Sequence, residues 1–291
     1  MSKKRYSVLT YIIGDYEIVH EIGEKDPDAE YLLVTDNPEI KSDTWDVILD
    51  ETLQGPSIFD KCYSIRFGCF RYCHTDICIR LDASVKIYRS TKWLIDEFEK
   101  GLYHMALMPH PVRNTMREEY DVWVNTRNYP QEQAERCMAS MAEKGYNLAY
   151  RGLFQGGFAI MRRNEQTSKL NKEVFDWLKE LGTDGKIERL DQTVFSCVVN
   201  MKYSSLKVLP ISEQLLHSEM MTVCFHGTEI ENPGLCYDLF TPDEKYMFDK
   251  PVKCRYFMIG GKETRELRRL YSQVEAVGSA IWALTNEEAQ S

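Results

Sequence analysis

Short apolar runs broken by turn signals open the chain. Residues 6–13 (YSVLTYII) and 31–35 (YLLVT) are rich in β-branched and aromatic side chains, and they stop at Gly14-Asp15 and at Asp36-Asn37-Pro38, the pattern of buried strands. Residues 46–49 (DVIL) predict a third strand. From 57 to 72, Ile58, Phe59, Cys62, Ile65, Phe67, Cys69 and Phe70 predict one largely buried helix. Residues 76–81 (DICIRL) read as a strand that breaks at Asp82-Ala83-Ser84 and resumes as Val85-Lys86-Ile87. The stretch 97–150 is more polar and holds one expected helix, at 130–144. A strand at 154–161, helices at 169–181 and 191–199, and a short apolar run at 221–225 follow. Residues 263–284 then place Leu267, Leu270, Tyr271, Val274, Val277, Ile281 and Trp282 on one helical stripe.

Strands alternating with helices predict an α/β fold: a mixed, mostly parallel sheet flanked by helices, with a ligand crevice beyond the carboxyl ends of the strands. Without repeats or long linkers, residues 1–262 read as one domain, followed by a C-terminal amphipathic helix and tail at 263–291. That stripe suits docking on its own domain, on a second copy, or on a membrane surface.

Composition narrows the function classes. A hydrophobic share of 43% sustains a core, and a formal charge of −9 with a pI near 5.3 argues against a nucleic-acid binder. No apolar run is long enough for a spanning helix. The opening MSKKRYSVLTYIIGDYE is cut short by Gly14, Asp15 and Glu17 with no cleavage site after it, so it reads as a first strand. The nine cysteines are odd in number and form no CxxC pair, which points to reduced core thiols in a reducing compartment. A cytoplasmic protein is expected, with a peripheral place at the inner membrane face left open by the stripe.

The strand ends carry the candidate chemistry. Asp82, directly after an apolar strand, is placed to hold a divalent cation, although an Asp there also caps turns. His226 follows the run at 221–225, and with Asp82 it suits manganese or a related ion; Gly227 lets a ligand approach the backbone. Gln155-Gly156-Gly157 leaves room for a sugar or marks a bulge. Asp191-Gln192 brings a carboxylate and an amide to a helix start, where Asp191 also serves as an N-cap. Gly14-Asp15-Tyr16 is no Gly-rich triphosphate loop and no GxGxxG follows the first strand, which disfavours a nucleotidyltransferase and a dehydrogenase.

In chain order, Asp82-Ala83-Ser84, Gln155-Gly156-Gly157, Asp191-Gln192 and His226-Gly227 resemble the Asp-x-Asp, Asn-x-Gly, Asp-Gln and His-x-Gly landmarks of retaining GT-A glycosyltransferases of the glycogenin and lipopolysaccharide galactosyltransferase kind. Gly14-Asp15-Tyr16, Val34-Thr35-Asp36-Asn37, Leu81-Asp82-Ala83-Ser84 and His110-Pro111-Val112-Arg113 are similar to the pattern of a glycosyltransferase-like family known from bacterial polysaccharide loci and from plant mucilage and turgor-related proteins. The resemblance runs from about residue 6 to residue 227 and leaves the C-terminal region uncovered.

It implies a GT-A (Rossmann-like) fold and a metal-dependent hexosyl transfer in polysaccharide biosynthesis, from a UDP-sugar to a glycan or lipid-linked acceptor, with Mn2+ (or Mg2+). By resemblance, Tyr11 stacks on the uracil ring, Thr10 and Ile13 line the same pocket, and Asp36 sits near the base or ribose. Asp82, Ser84 and His226 hold the metal, with Ser84 in the place of a second Asp. Lys61 and Arg66 contact the donor phosphate or pin the Asp loop. His110 and Arg113 orient the donor sugar or the acceptor, or form an ion-pair cluster with Glu118 and Glu119. Retention is the implied stereochemistry, with Asp191 or Gln192 stabilising the sugar cation; an inverting enzyme would use Asp191 or Glu119 as general base. From another class stands a catalytically silent nucleotide-sugar or glycan-binding module, which Ser84 keeps open.

Overall fold

The computed structural model describes residues 3–55, 57–110, 113–126, 131–182, 191–211 and 220–223. The domain boundary at 262 and the helix expected at 263–284 lie outside them, as do His226 and Gly227. Among the described residues, no helix is long and apolar enough to cross a membrane.

The strands are β1 (Tyr6–Ile12), β2 (Ala29–Thr35), β3 (Asp46–Leu49), β4 (Ile77–Leu81), β5 (Val85–Ile87), β6 (Met105–Pro109), β7 (Phe154–Arg162), β8 (Val208–Pro210) and β9 (Met221–Val223). The helices are α1 (Ile58–Phe67), α2 (Lys92–Lys100), α3 (Met116–Thr126), α4 (Gln131–Glu143), α5 (Glu165–Leu181) and α6 (Asp191–Met201). Seven strands form one sheet in the order β3-β2-β1-β4-β7-β6-β8, and β5 pairs with β9 in a separate two-stranded sheet. All neighbours in the large sheet are parallel except β7, which runs antiparallel to both β4 and β6. The sheet is therefore mixed and mostly parallel, flanked by helices, as the alternation of elements predicts.

Every residue of β1 is buried, because helices cover both faces of the sheet there. Successive side chains part to opposite faces. Tyr6, Val8 and Ile12 join the core that contains Leu94, Ile95 and Phe98 of α2. Leu9, Tyr11 and Ile13 join Cys62 and Ile65 of α1. A third core packs Leu107, Ala159 and Met161 against Trp177, Leu178 and Val198 of α5 and α6.

Several boundaries depart from the sequence reading. The helix expected over 57–72 ends at Gly68, whose N–H bonds Ser64 O at 3.0 Å, and a short 3₁₀ turn, Cys69–Arg71, follows. A Cβ at Gly68 would stand 2.5 Å from that same oxygen. Helix α5 begins four residues before the expected 169, at Glu165, because Asn164 and Thr167 exchange side-chain-to-backbone bonds as a capping box. Elements α2, β6, α3 and β8 fall in stretches with no assigned element. The apolar runs of β6 and β8 are too short to stand out in sequence, and packing decides them.

The direction of β7 decides the site. Leu81 pairs with Phe158 and Pro109 with Phe154, with an irregular register between them. An antiparallel strand thus brings its first residues, Gln155 to Gly157, to the carboxyl ends of its parallel neighbours.

Candidate functional site

At that end of the sheet lies a cleft of about 400 Å³, within the size range that holds a small-molecule ligand. Its walls change character along the sheet. On the β1 side stand Tyr11, Tyr16, Ile58 and Cys62; in the middle are Arg66 and the Asp82-Ala83-Ser84 turn; toward β7, β6 and α6 come Gln155 to Gly157, His110, Arg113, Glu119, Asp191 and Gln192.

Arg66 is the hub. Its side chain is 7% exposed, and it pairs through Nη2 with Asp82 Oδ1 and through Nη1 with Asp191 Oδ2. Its Nε donates to Tyr11 Oη at 3.0 Å, and Tyr11 Oη donates on to Asp82 Oδ1 at 3.1 Å. Tyr63 Oη donates to Asp191 Oδ1 at 2.7 Å, and its ring lies 5.5 Å from the guanidinium carbon. Burial opposes the charge on Arg66, yet the carboxylates of Asp82 and Asp191 outweigh it and hold the pKa well above the ordinary arginine value. Burial, with the nearby negative charge of Asp191, raises Tyr63 well above the ordinary tyrosine value; burial likewise raises Tyr11, against the pull of Arg66. The Cys62 thiol is pushed up to about 12 by burial, so it lines the cleft as a neutral group.

Local sequence explains the convergence. Phe59, Cys62, Tyr63 and Arg66 recur at three- and four-residue spacing and share one face of α1, and all four line the cleft. Ser57 and Asp60 form the capping box that fixes where the helix starts. Behind Arg66, buried Arg80 donates to Arg66 O at 3.0 Å and lies 5.5 Å from the Phe67 ring centre. Burial lowers its pKa, and the charge of Arg66 lowers it further.

Gly156 makes room first of all for this network, and Gly157 lies beside it at ordinary contact distance. A Cβ at Gly156 would stand 3.0 Å from Arg66 Nη1 and 3.1 Å from Asp191 Oδ2; one at Gly157 would stand 3.4 Å from Asp82 Oδ2. Gln192 accepts from Gly156 N at 3.1 Å through Oε1. Ser196 donates to Gln192 O at 2.7 Å and accepts from Phe154 N at 2.9 Å, which ties α6 to the start of β7.

At the β6 end, His110 Nδ1 accepts from Arg113 N at 3.0 Å, and Arg113 Nε pairs with Glu119. Thr115 and Glu118 cap α3 reciprocally, with Glu118 N to Thr115 Oγ1 at 3.1 Å and Thr115 N to Glu118 Oε2 at 3.0 Å.

The remaining residues singled out in the sequence stand elsewhere. Ile13 packs in the core between β1 and α1, and Thr10 is buried on β1; neither is among the lining residues. Asp36 and Lys61 lie beside the cleft and pair with each other at 2.7 Å, while Gly14 N donates to Asp36 Oδ1 at 2.7 Å. Burial opposes the charge of Asp36, but Lys61 and the Gly14 N–H lower its pKa. Tyr63 lines the cleft without having been singled out, and Tyr16, quoted only within the Gly14-Asp15-Tyr16 motif, lines it without having been given a role. The signal for Tyr63 was its place on the stripe that carries Arg66; that for Tyr16 was an aromatic just past a strand-end turn.

Among the described residues, no three His, Cys, Asp or Glu converge as a cage for a metal. Asp82 Oδ2 accepts no hydrogen bond from the described residues, and Ser84 lies beside it in the lining. One carboxylate oxygen and one hydroxyl fit a cation that takes its other ligands from substrate phosphates and water.

No family model and no curated protein matches the chain. Among solved structures it is similar to mouse xyloside xylosyltransferase 1 in its apo form, with 11% identity and a TM-score of 0.40 over 71% of this chain and 85% of that one. It is also similar to the glycosyltransferase GlyE of Streptococcus pneumoniae TIGR4, with 12% identity and a TM-score of 0.42 over 98% of this chain and 64% of that one. Likeness at these identities and TM-scores carries no argument about fold or activity.

Proposed function

We propose that the chain transfers a hexose from a UDP-sugar to a hydroxyl of a glycan or lipid-linked acceptor in polysaccharide biosynthesis. The observation that carries this reading is the graded cleft at the strand ends: aromatic and apolar at β1, Arg66 and Asp82 in the middle, polar at β7, β6 and α6. A nucleotide-sugar has the same succession of ring, charge and polyol. The motif resemblance points the same way.

Three carboxylates in the lining face two guanidinium groups, so a diphosphate would add negative charge to a cleft already rich in it. Mn2+ or Mg2+, held by Asp82 Oδ2 and Ser84, supplies the neutralisation when bound. We include His226, implied by the resemblance, as a further ligand; it lies outside the described residues.

In the proposed mechanism the sugar lies over Gly156 and Gly157 with its anomeric carbon near Asp191. The acceptor oxygen bonds to that carbon as the bond to the phosphate oxygen breaks, and the acceptor proton passes to the departing phosphate. Both oxygens of Asp191 accept hydrogen bonds, so Asp191 acts as a fixed negative charge against the oxocarbenium-like transition state rather than as a free proton acceptor. That role suits retention of configuration. Arg66 steadies Asp82 and Asp191 in one geometry.

The test is calorimetric titration with UDP and several UDP-sugars, with and without manganese, for wild type, Asp82→Ala and His226→Ala. Manganese-dependent binding lost in both variants is expected. Failure of folded wild type to bind any uridine nucleotide would refute the UDP-sugar site. Ser84, a hydroxyl where a carboxylate is the stronger ligand, favours a second reading, a silent nucleotide-sugar-binding module. Binding with no turnover of any donor, by transfer or by hydrolysis, would support it.

A further inference from the structure

Arg80 is a buried cation without an anion of its own. The residue is 4% exposed and stands on β4 two positions before Asp82. Its Nη1 donates to Arg66 O, and its guanidinium lies over the Phe67 ring. Nε is buried and has no hydrogen-bond partner among the described residues, and Asp82 and Asp191 pair with Arg66 instead. A buried charge that no opposite charge compensates works against folding. Nor does its hydrogen bond call for a charge. Arg66 O belongs to the last turn of α1, where carbonyls lack intrahelical partners and a neutral donor would serve as well.

The cleft supplies the reason for a cation at this position. In the lining, Asp82, Glu119 and Asp191 outnumber Arg66 and Arg113. Arg80 stands behind Arg66, outside the lining, and brings the guanidinium groups to the same number as the carboxylates. Its charge reaches three lining groups, Arg66, Tyr11 and Asp82. A field that passes through the protein interior is little screened by salt, and it needs no contact with a ligand. We propose that Arg80 supplies buried positive potential for the donor diphosphate and that the chain keeps this charge at a cost in folding stability. The inference rests on the nucleotide-sugar reading. Arg80 touches no substrate; it acts through its field and through Arg66.

The experiment compares wild type, Arg80→Gln and Arg80→Lys in the full chain. Gln offers an amide donor for Arg66 O and removes the charge, whereas Lys keeps the charge. Each protein is titrated in saturating manganese with UDP, whose manganese complex stays anionic, and with uridine as the neutral control, and each is melted without ligand. Arg80→Gln is expected to weaken UDP by about 3- to 10-fold, to leave uridine affinity unchanged, and to melt no lower than wild type. Arg80→Lys is expected to hold UDP affinity within about 2-fold.

Equal losses for UDP and uridine, or a lower melting temperature with UDP affinity intact, would reduce Arg80 to a cap on α1 and overturn the proposal. UDP affinity that falls as far in Arg80→Lys as in Arg80→Gln would overturn it too, because the charge would then not be what matters. An Arg80→Gln chain that fails to fold contradicts the stability cost, and Arg80→Lys still reads the charge. Wild type that binds neither UDP nor uridine brings down the parent reading. Wild type that binds both, with Arg80→Gln unchanged, brings down this one alone.

Discussion

At the scale of single residues, the cleft depends on how one guanidinium distributes its donors. Arg66 reaches Asp82, Asp191 and Tyr11 at once, a task that needs the planar fork of arginine and that the single ammonium of lysine cannot perform. Arg66→Met would leave two carboxylates facing each other with no cation between them. Removing one partner of a buried ion pair costs about 3–5 kcal/mol, discounted here because Asp82 is 37% exposed. The expected outcome is a clear fall in thermal stability together with loss of UDP binding, and Arg66→Lys should recover part of the stability and little of the binding. A Met variant as stable as wild type would contradict the hub role. Asp191→Asn keeps shape and removes the charge opposite the sugar; on the proposed mechanism it lowers kcat by roughly 10²–10³-fold with UDP affinity retained, and unchanged turnover in steady-state kinetics would rule that mechanism out.

At the scale of elements, the antiparallel strand β7 makes the site possible and its glycines make it fit. Gly156→Ala would press a methyl group 3.0 Å from Arg66 Nη1, whereas Gly157→Ala meets Asp82 Oδ2 at an ordinary 3.4 Å. The first substitution is expected to cut turnover on the order of 10-fold or more through misplacement of the pair, the second far less; equal effects would refute the packing argument. Asp50 ties the end of β3 to the 3₁₀ turn after α1, accepting from Tyr72 Oη at 2.6 Å and from Thr52 N at 2.9 Å and pairing with Arg71. Burial opposes its charge, but bonds from Thr52, Tyr72 and Arg71 bring its pKa to about 2. A folded pKa below the unfolded one contributes stability at neutral pH that disappears as pH falls through about 4 toward 2. Asp50→Asn should therefore be less stable at pH 7 and show a flatter acid limb in melts taken between those values. Helix α5 was legible in part, with its start missed at the Asn164-x-x-Thr167 capping box, and the Thr115-x-x-Glu118 cap of α3 went unread.

At the scale of the whole molecule, binding of a ligand to the assembled cleft should appear as a shift in global stability. With UDP and manganese at 100 times Kd, linkage adds about 2.7 kcal/mol, which for a domain of this size raises Tm by about 5–10 °C; no shift at saturation would contradict a site built from the folded sheet. Much of the fold was set locally. The apolar runs of β1, β2 and β4 declare buried strands, and Asp82 and Asp191 stand where a strand ends and a helix begins. What local sequence could not carry is long-range pairing. Arg66, Asp82 and Asp191 become partners only in the assembled sheet, where α1, the end of β4 and the start of α6 meet, and β6 and β8 become strands through neighbours that satisfy their backbone groups. The periodicity of side chains, fixed by backbone geometry, is readable one residue at a time; the order and direction of strands, and with them the charge balance of the cleft, arise from contacts between distant segments.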